Sequence, residues 1–133
     1  MAEMINLKTG KHTEMVDITA PVQKVVSQHD LKDGLCVIYV PHTTAGLTIN
    51  EGADPAVCRD ILTKLNELIP ADAGYQHMEG NSDSHIKASL MGSSVTVVIE
   101  NGRLLLGTWQ KIFFCEFDGP RSRQVFLKLI KTL

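Results

Sequence analysis

Apolar and polar positions in this chain follow two periods in turn. Met4 to Thr9 and Glu14 to Ile18 read as short strands. In the second, Val16 and Ile18 alternate with Met15 and Asp17, the pattern of a half-buried strand. Gly10-Lys11-His12 fills the turn between them. Thr19-Ala20-Pro21 then predicts a helix start, with Thr19 as cap and proline in the first turn, where its missing N–H costs nothing. Val22, Val25, Val26 and His29 follow at helical spacing, and Asp33-Gly34 closes the segment. Leu35 to Val40 is a continuous apolar run bounded by Gly34 and Pro41, which predicts a central strand covered on both faces. Leu47 to Asn50 alternates and predicts another strand.

Asp54-Pro55 is the sharpest local signal: an acid able to cap a helix, followed by proline at its first position. Val57, Ile61, Leu65 and Leu68 then recur on one helical face up to Pro70. Residues 71–84 are polar and without period, a loop long enough to expect a functional role. Residues 84–91 predict a short helix capped by Asp83 or Ser84, with Ile86 and Leu90 inward and Gly92 at its end. Ser94 to Glu100 is β-branched, Asn101-Gly102 is a hairpin signal, and Arg103 to Trp109 is its expected partner. Lys111 to Phe117 and Arg123 to Thr132 complete the strands around an Asp118-Gly119-Pro120 turn. About eight strands and two or three helices result, paired mainly through hairpins. The expectation is one α+β domain over residues 1–133, with a largely antiparallel sheet, curled or sandwiched.

Composition sharpens this picture in two places. A formal net charge of -2 argues against a nucleic-acid binder held by a broad basic face, while leaving room for a local anion pocket. Cys36, Cys58 and Cys115 are odd in number, lack redox or metal-knuckle spacing, and sit among apolar neighbours. They read as buried thiols of a reducing compartment. With no basic and apolar leader and no stretch long enough for a membrane span, the expected location is the cytoplasm.

Polar clusters interrupt the apolar pattern at residues 41–46, 50–54 and 77–85. His42 follows a buried strand, where a rigid element presents a side chain. His77 and His85 flank a polar stretch and can meet there. Three imidazoles with an open position are one architecture of catalytic zinc. The plainer alternative is that loop histidines are solvated or bonded to backbone. Glu51, Asp54, Glu116 and Asp118 offer carboxylates for proton transfer or for orienting ligands. Asp54 is also explained as a helix cap alone. His12 and His29 read as surface residues, and Trp109 as core or interface. Residues 81–84 lead into a helix N-terminus that favours anions, and Arg121 and Arg123 can hold phosphate oxygens. As edge-strand charges, the two arginines are equally well explained.

At these clusters the chain resembles the YjbQ-like family. The resemblance rests on His42-Thr43-Thr44-Ala45-Gly46-Leu47-Thr48-Ile49-Asn50-Glu51, then Asp54-Pro55, Asn81-Ser82-Asp83-Ser84-His85-Ile86-Lys87, Leu106-Gly107-Thr108-Trp109-Gln110 and Glu116-Phe117-Asp118-Gly119-Pro120-Arg121. It covers nearly the whole chain, in order. It implies a compact α+β domain that forms homotrimers, and a secondary thiamine-phosphate synthase activity. That reaction joins a pyrimidine diphosphate to a thiazole phosphate and releases pyrophosphate. Its functional histidine and aspartate positions fall here on His42, His77, His85 and Asp54. The expected site therefore has a divalent metal on His42, His77 and His85, with His85, Asp54 and Glu51 moving protons or orienting ligands. Asn50, Asn81 and Arg121 would bind a phosphate-bearing substrate. Three histidines favour zinc, whereas magnesium would take its shell from carboxylates and substrate phosphates.

Overall fold

The computed structural model describes residues 2–133. Eleven elements follow in order: β1 (Glu3–Lys8), β2 (Glu14–Asp17), α1 (Thr19–Gln28), β3 (Gly34–Tyr39), β4 (Ala45–Glu51), α2 (Pro55–Leu68), α3 (Ser82–Met91), β5 (Ser94–Glu100), β6 (Arg103–Leu104), β7 (Gln110–Glu116) and β8 (Ser122–Lys131). The strands form a five-stranded sheet, β1-β8-β3-β5-β6, and a three-stranded sheet, β2-β7-β4. All their pairings are antiparallel. The α+β expectation holds, but pairing mainly through hairpins does not. Among the described residues, only β5 and β6 are sequence neighbours in a ladder. Chain-end strand β8 instead lies between β1 and β3, with its alternating Val125 and Leu127 buried on the core face.

The two sheets face each other across the main core. Cys36, Ile38, Val97, Ile99, Val125 and Leu127 come from one sheet, and Leu47, Ile112 and Phe114 from the other. Val22 and Val26 bring α1 into the same core. The opposite face of the three-stranded sheet carries Met15, Phe113, Cys115 and Phe117. There α2 and α3 cover it with Cys58, Leu62, Leu65, Ala88 and Met91. Cys58 is only half-buried, unlike the other two cysteines, because α2 lies on this outer layer.

Several local signals are realised differently from expectation. Asp54 caps α2 by accepting the Ala56 N–H at 2.9 Å. Thr19 does not cap α1; its Oγ1 accepts the Ile112 N–H at 2.8 Å and ties the helix to β7. The Arg103 to Trp109 strand shrinks to two residues, after which the chain leaves the sheet.

The largest reversal is in α3. Ile86 and Leu90 are exposed, while Asp83, Ser84, Lys87 and Ala88 are buried. The buried polar groups are satisfied there. Ser84 Oγ donates to the Phe117 carbonyl at 2.6 Å. Lys87 Nζ donates to Asp83 at 3.1 Å and to Asn66 of α2 at 2.8 Å. Those bonds remove the usual penalty of burying polar groups, so the polar face of α3 packs inward.

Close approach of α3 to β4 depends on Gly46. A Cβ there would stand 2.7 Å from the Gly92 carbonyl oxygen and 3.0 Å from Met91 Cβ. Gly46→Ala should therefore push the end of α3 outward and cost about 1–3 kcal/mol, as overpacked sites do. Urea unfolding measures it; an unchanged midpoint would show that the contact yields freely.

Candidate functional site

One end of the sandwich gathers the C-terminal end of β3, the loop into β4, the start of α3 and the turn between β7 and β8. A cavity of about 410 Å³ opens there, lined among others by His42, His77, Asn81, His85, Asp118 and Arg121. That size suits a small ligand. The structure thus brings all three candidate histidines, Asn81 and Arg121 to one place. His77 and His85 meet edge to face, with ring centroids 5.3 Å apart. Glu79, which the sequence reading passed over, also lines the cavity, 4.0 Å from His77 Nε2.

Asp118 organises the floor. Asn81 Nδ2 donates to its Oδ2 at 3.0 Å, and Arg121 donates to the same oxygen at 2.9 Å and to the Asp118 carbonyl at 2.7 Å. An ionised carboxylate only accepts, which fixes the Asn81 amide with its NH₂ toward Asp118. Asn81 Oδ1 is then buried without a hydrogen-bond partner among the described residues. This oxygen is a free acceptor suited to a ligand N–H, O–H or cation.

Behind the cavity lies a buried ion pair. Glu116 and Arg123 are 0% and 5% exposed. Arg123 Nε donates to Glu116 Oε1 at 2.8 Å, and its terminal nitrogen donates to Glu116 Oε2 and, at 2.9 Å, to Thr44 Oγ1. Thr9 Oγ1 donates to Glu116 at 2.7 Å, and the Asp118 N–H donates at 3.1 Å. Arg123 is therefore no edge-strand charge, since β8 is interior; although it reaches the cavity wall, its Nε and one terminal nitrogen are committed to Glu116 and Thr44 rather than presented as a fork.

The pair sets a pH dependence. Burial alone would raise the Glu116 pKa, but its bonds to Arg123, Thr9 and the Asp118 N–H outweigh that and hold it below the ordinary glutamate value. In Asp118, burial is likewise outweighed by Asn81 and Arg121. Both folded-state values lie below the unfolded ones. The linked stability is complete above the unfolded values, about pH 4, and is lost as pH falls through the folded ones. Urea midpoints should be flat in this contribution from pH 7 to about 5 and fall below about pH 4. Glu116→Gln should flatten that acid limb; an unaltered limb would assign it to other carboxylates.

His42 is pinned by the backbone. Its Nε2 accepts the Gln124 N–H at 2.9 Å. Burial and then the Arg123 charge hold its pKa below the ordinary histidine value. Among the described residues, no three His, Cys, Asp or Glu side chains are arranged to hold one metal ion.

Asn50, Glu51 and Asp54 do not line this cavity. Glu51 ends β4 six residues beyond Ala45, about 20 Å along an extended strand, with Asn50 beside it and Asp54 in the turn that follows. There they build a local turn: Glu51 Oε2 accepts the Ala53 N–H at 2.6 Å and the Asp54 N–H at 3.2 Å, and Asn50 Oδ1 accepts the Glu51 N–H at 2.7 Å. Joint action with His85 inside one chain is therefore not what the fold provides. Trp109 stands near that far end, its carbonyl bonded to the Gly52 N–H, and is 62% exposed, so it is no core residue. The thiols of Cys36 and Cys115 are pushed up by burial to about 11 and about 12, which makes both poor nucleophiles. No helix is long and apolar enough to cross a membrane among the described residues.

Comparison with known proteins agrees with this architecture. The family described as "UPF0047 protein YjbQ-like" matches residues 3–132. A UPF0047 protein of Methanocaldococcus jannaschii is 56% identical over 93% of this chain and 90% of its own length. YugU of Bacillus subtilis, also a UPF0047 protein, is 48% identical over 98% of this chain and 99% of its own. The crystal structure of a YjbQ/UPF0047 protein from Clostridium acetobutylicum superposes with a TM-score of 0.95 at 55% identity, covering 96% of this chain and 99% of that one. A protein of unknown function from Sulfolobus solfataricus superposes at 0.94 with 32% identity, covering 99% and 97%. With its motifs, its two-sheet fold and these relatives in agreement, the chain belongs to the YjbQ-like (UPF0047) family.

Proposed function

We propose that the cavity binds a phosphate-bearing small molecule and that the chain is a transferase of the thiamine-phosphate synthase type. The observation that carries this reading is the meeting of His42, His77, His85, Asn81 and Arg121 at one small cavity. Arg121, held by Asp118 yet half exposed, is a preformed fork for phosphate oxygens. Asn81 Oδ1 awaits a donor on the ligand. His85, on the anchored helix α3, is the proton donor to a departing pyrophosphate.

A divalent cation is part of the proposal. His77 would hold it, with Asn81 Oδ1 and Glu79 as oxygen ligands, leaving His85 for proton transfer, and imidazole ligation favours zinc over magnesium. When bound, it would neutralise charge on the leaving group. His42 fits this role less well, because the nitrogen facing Gln124 is already bonded to an N–H.

Asp54 and Glu51 enter the reaction only if another copy supplies them. A homotrimer is proposed on the outer face of the five-stranded sheet. There Met4, Phe126 and Tyr39 share one cross-strand row, and Val98 and Ile130 are also exposed. Light scattering at micromolar concentration tests it; a monomer removes both carboxylates from the reading.

Calorimetric titration with inorganic pyrophosphate, followed by assay of thiamine phosphate formation, tests the function. Arg121→Ala should weaken pyrophosphate binding about tenfold or more, the effect of losing a hydrogen bond to a charged group. Binding without product would leave a ligand-binding module. No binding by the wild-type protein would end the proposal.

A further inference from the structure

The main-chain ladder explains how His42 is held. β3 pairs with β8 up to Tyr39 opposite Phe126. Beyond that point the chain passes through Pro41 and leaves the sheet, yet the next β8 amide on that side, Gln124 N–H, still needs an acceptor. His42 Nε2 supplies it at 2.9 Å. A backbone amide can only donate, so Nε2 must carry a lone pair. A neutral imidazole has one N–H, which must then sit on Nδ1.

We infer that His42 is a locked Nδ1–H donor that grips an oxyanion of the ligand, and that it is neither a metal ligand nor the acid–base group of this site. This rests on the proposed phosphate-bearing ligand and assigns His42 its part in holding it. A metal-bound histidine uses the lone pair of one nitrogen and turns the N–H of the other toward a carbonyl or carboxylate. Here the polarity is reversed: the partner is itself a donor, and the remaining ring nitrogen bears the hydrogen. His42 lines the cavity with Arg121 and also the neighbouring one formed with His85, Ala88 and Ser93. It thus shares one cavity with both the arginine fork and the proton donor. Its lock is built from backbone, so the donor is in place before a ligand arrives, which is how preorganised oxyanion sites act. His77 and His85 have no such backbone bond to a ring nitrogen among the described residues and remain free to ligate or to carry protons.

The test is nitrogen NMR on the whole protein labelled at histidine, followed by titration with zinc and then with inorganic pyrophosphate. In the ligand-free protein, His42 should show protonated Nδ1 and unprotonated Nε2. Equimolar zinc should leave that pattern intact while resonances of other histidines move, and pyrophosphate should shift the Nδ1–H signal. A protonated Nε2, or zinc displacing the His42 proton, overturns the inference. Two variants separate its failure from failure of the site itself. His42→Asn places an amide N–H near the Nδ1 position and should keep pyrophosphate affinity within about threefold. His42→Gln reaches only toward Nε2 and should lose about tenfold, as expected for a lost bond to an anion. Equal affinities in the two variants would also overturn it. Absence of pyrophosphate binding in the wild type, with the tautomer as described, would instead sink the proposed ligand.

Discussion

Arg123→Met should destabilise the protein by about 3–5 kcal/mol, the range for removing one partner of a buried ion pair. The cost comes mainly from what remains. Glu116 is wholly buried and would keep only the Thr9 hydroxyl and the Asp118 N–H as partners for a full negative charge. Thr44 would lose its guanidinium donor as well, at the root of the loop that carries His42. Adding Glu116→Gln should recover a large part of the loss, because a neutral amide oxygen can still accept from Thr9 and Asp118. Chemical unfolding of wild type, both single variants and the double variant forms the cycle. A single-variant loss below about 1 kcal/mol would mean that water or rearrangement satisfies the carboxylate.

On the proposed synthase function, His85→Asn should leave stability nearly unchanged and reduce thiamine phosphate formation by about 10²–10⁴-fold, the usual contribution of a positioned acid or base. The separation of fold from activity follows from the way α3 is anchored. Its packing face is Asp83, Ser84, Lys87 and Ala88, and Ser84 and Lys87 fix it to the Phe117 carbonyl and to α2. His85 lies on the neighbouring, half-buried face and edges against His77. Unfolding curves and initial rates on the same preparations check both halves of the expectation. A rate within a factor of three of wild type would remove His85 from the chemistry.

These two residues mark where local sequence information stopped. His85 stood out in the sequence as a candidate because it lies where a polar stretch runs into a short helix, with no packing role to explain it. Arg123 was not legible. Its two sequence readings were a phosphate fork and an edge charge, and both assume solvent. Only the insertion of β8 between β1 and β3 turns Arg123 inward onto Glu116. The same limit explains α3. Periodicity placed Ile86 and Leu90 inside, since apolar side chains normally leave water first. Lys87, however, finds Asp83 four residues back and Asn66 on a separate helix, and no pattern within a ten-residue window contains that second partner.

By itself the sequence determined the elements and the family. Alternation, the apolar run at Leu35 to Val40 and the Asp54-Pro55 cap depend on interactions within a few residues, so they can be read locally. Tertiary structure alone decided which strands pair, which charges are buried and which motifs share a site. It brought His42, His77 and His85 to one cavity and left Asn50, Glu51 and Asp54 at the other end of β4. The physical reason is that long-range antiparallel ladders are selected by burial of whole sheet faces. Those energies sum over residues far apart in the chain, where no spacing rule reaches.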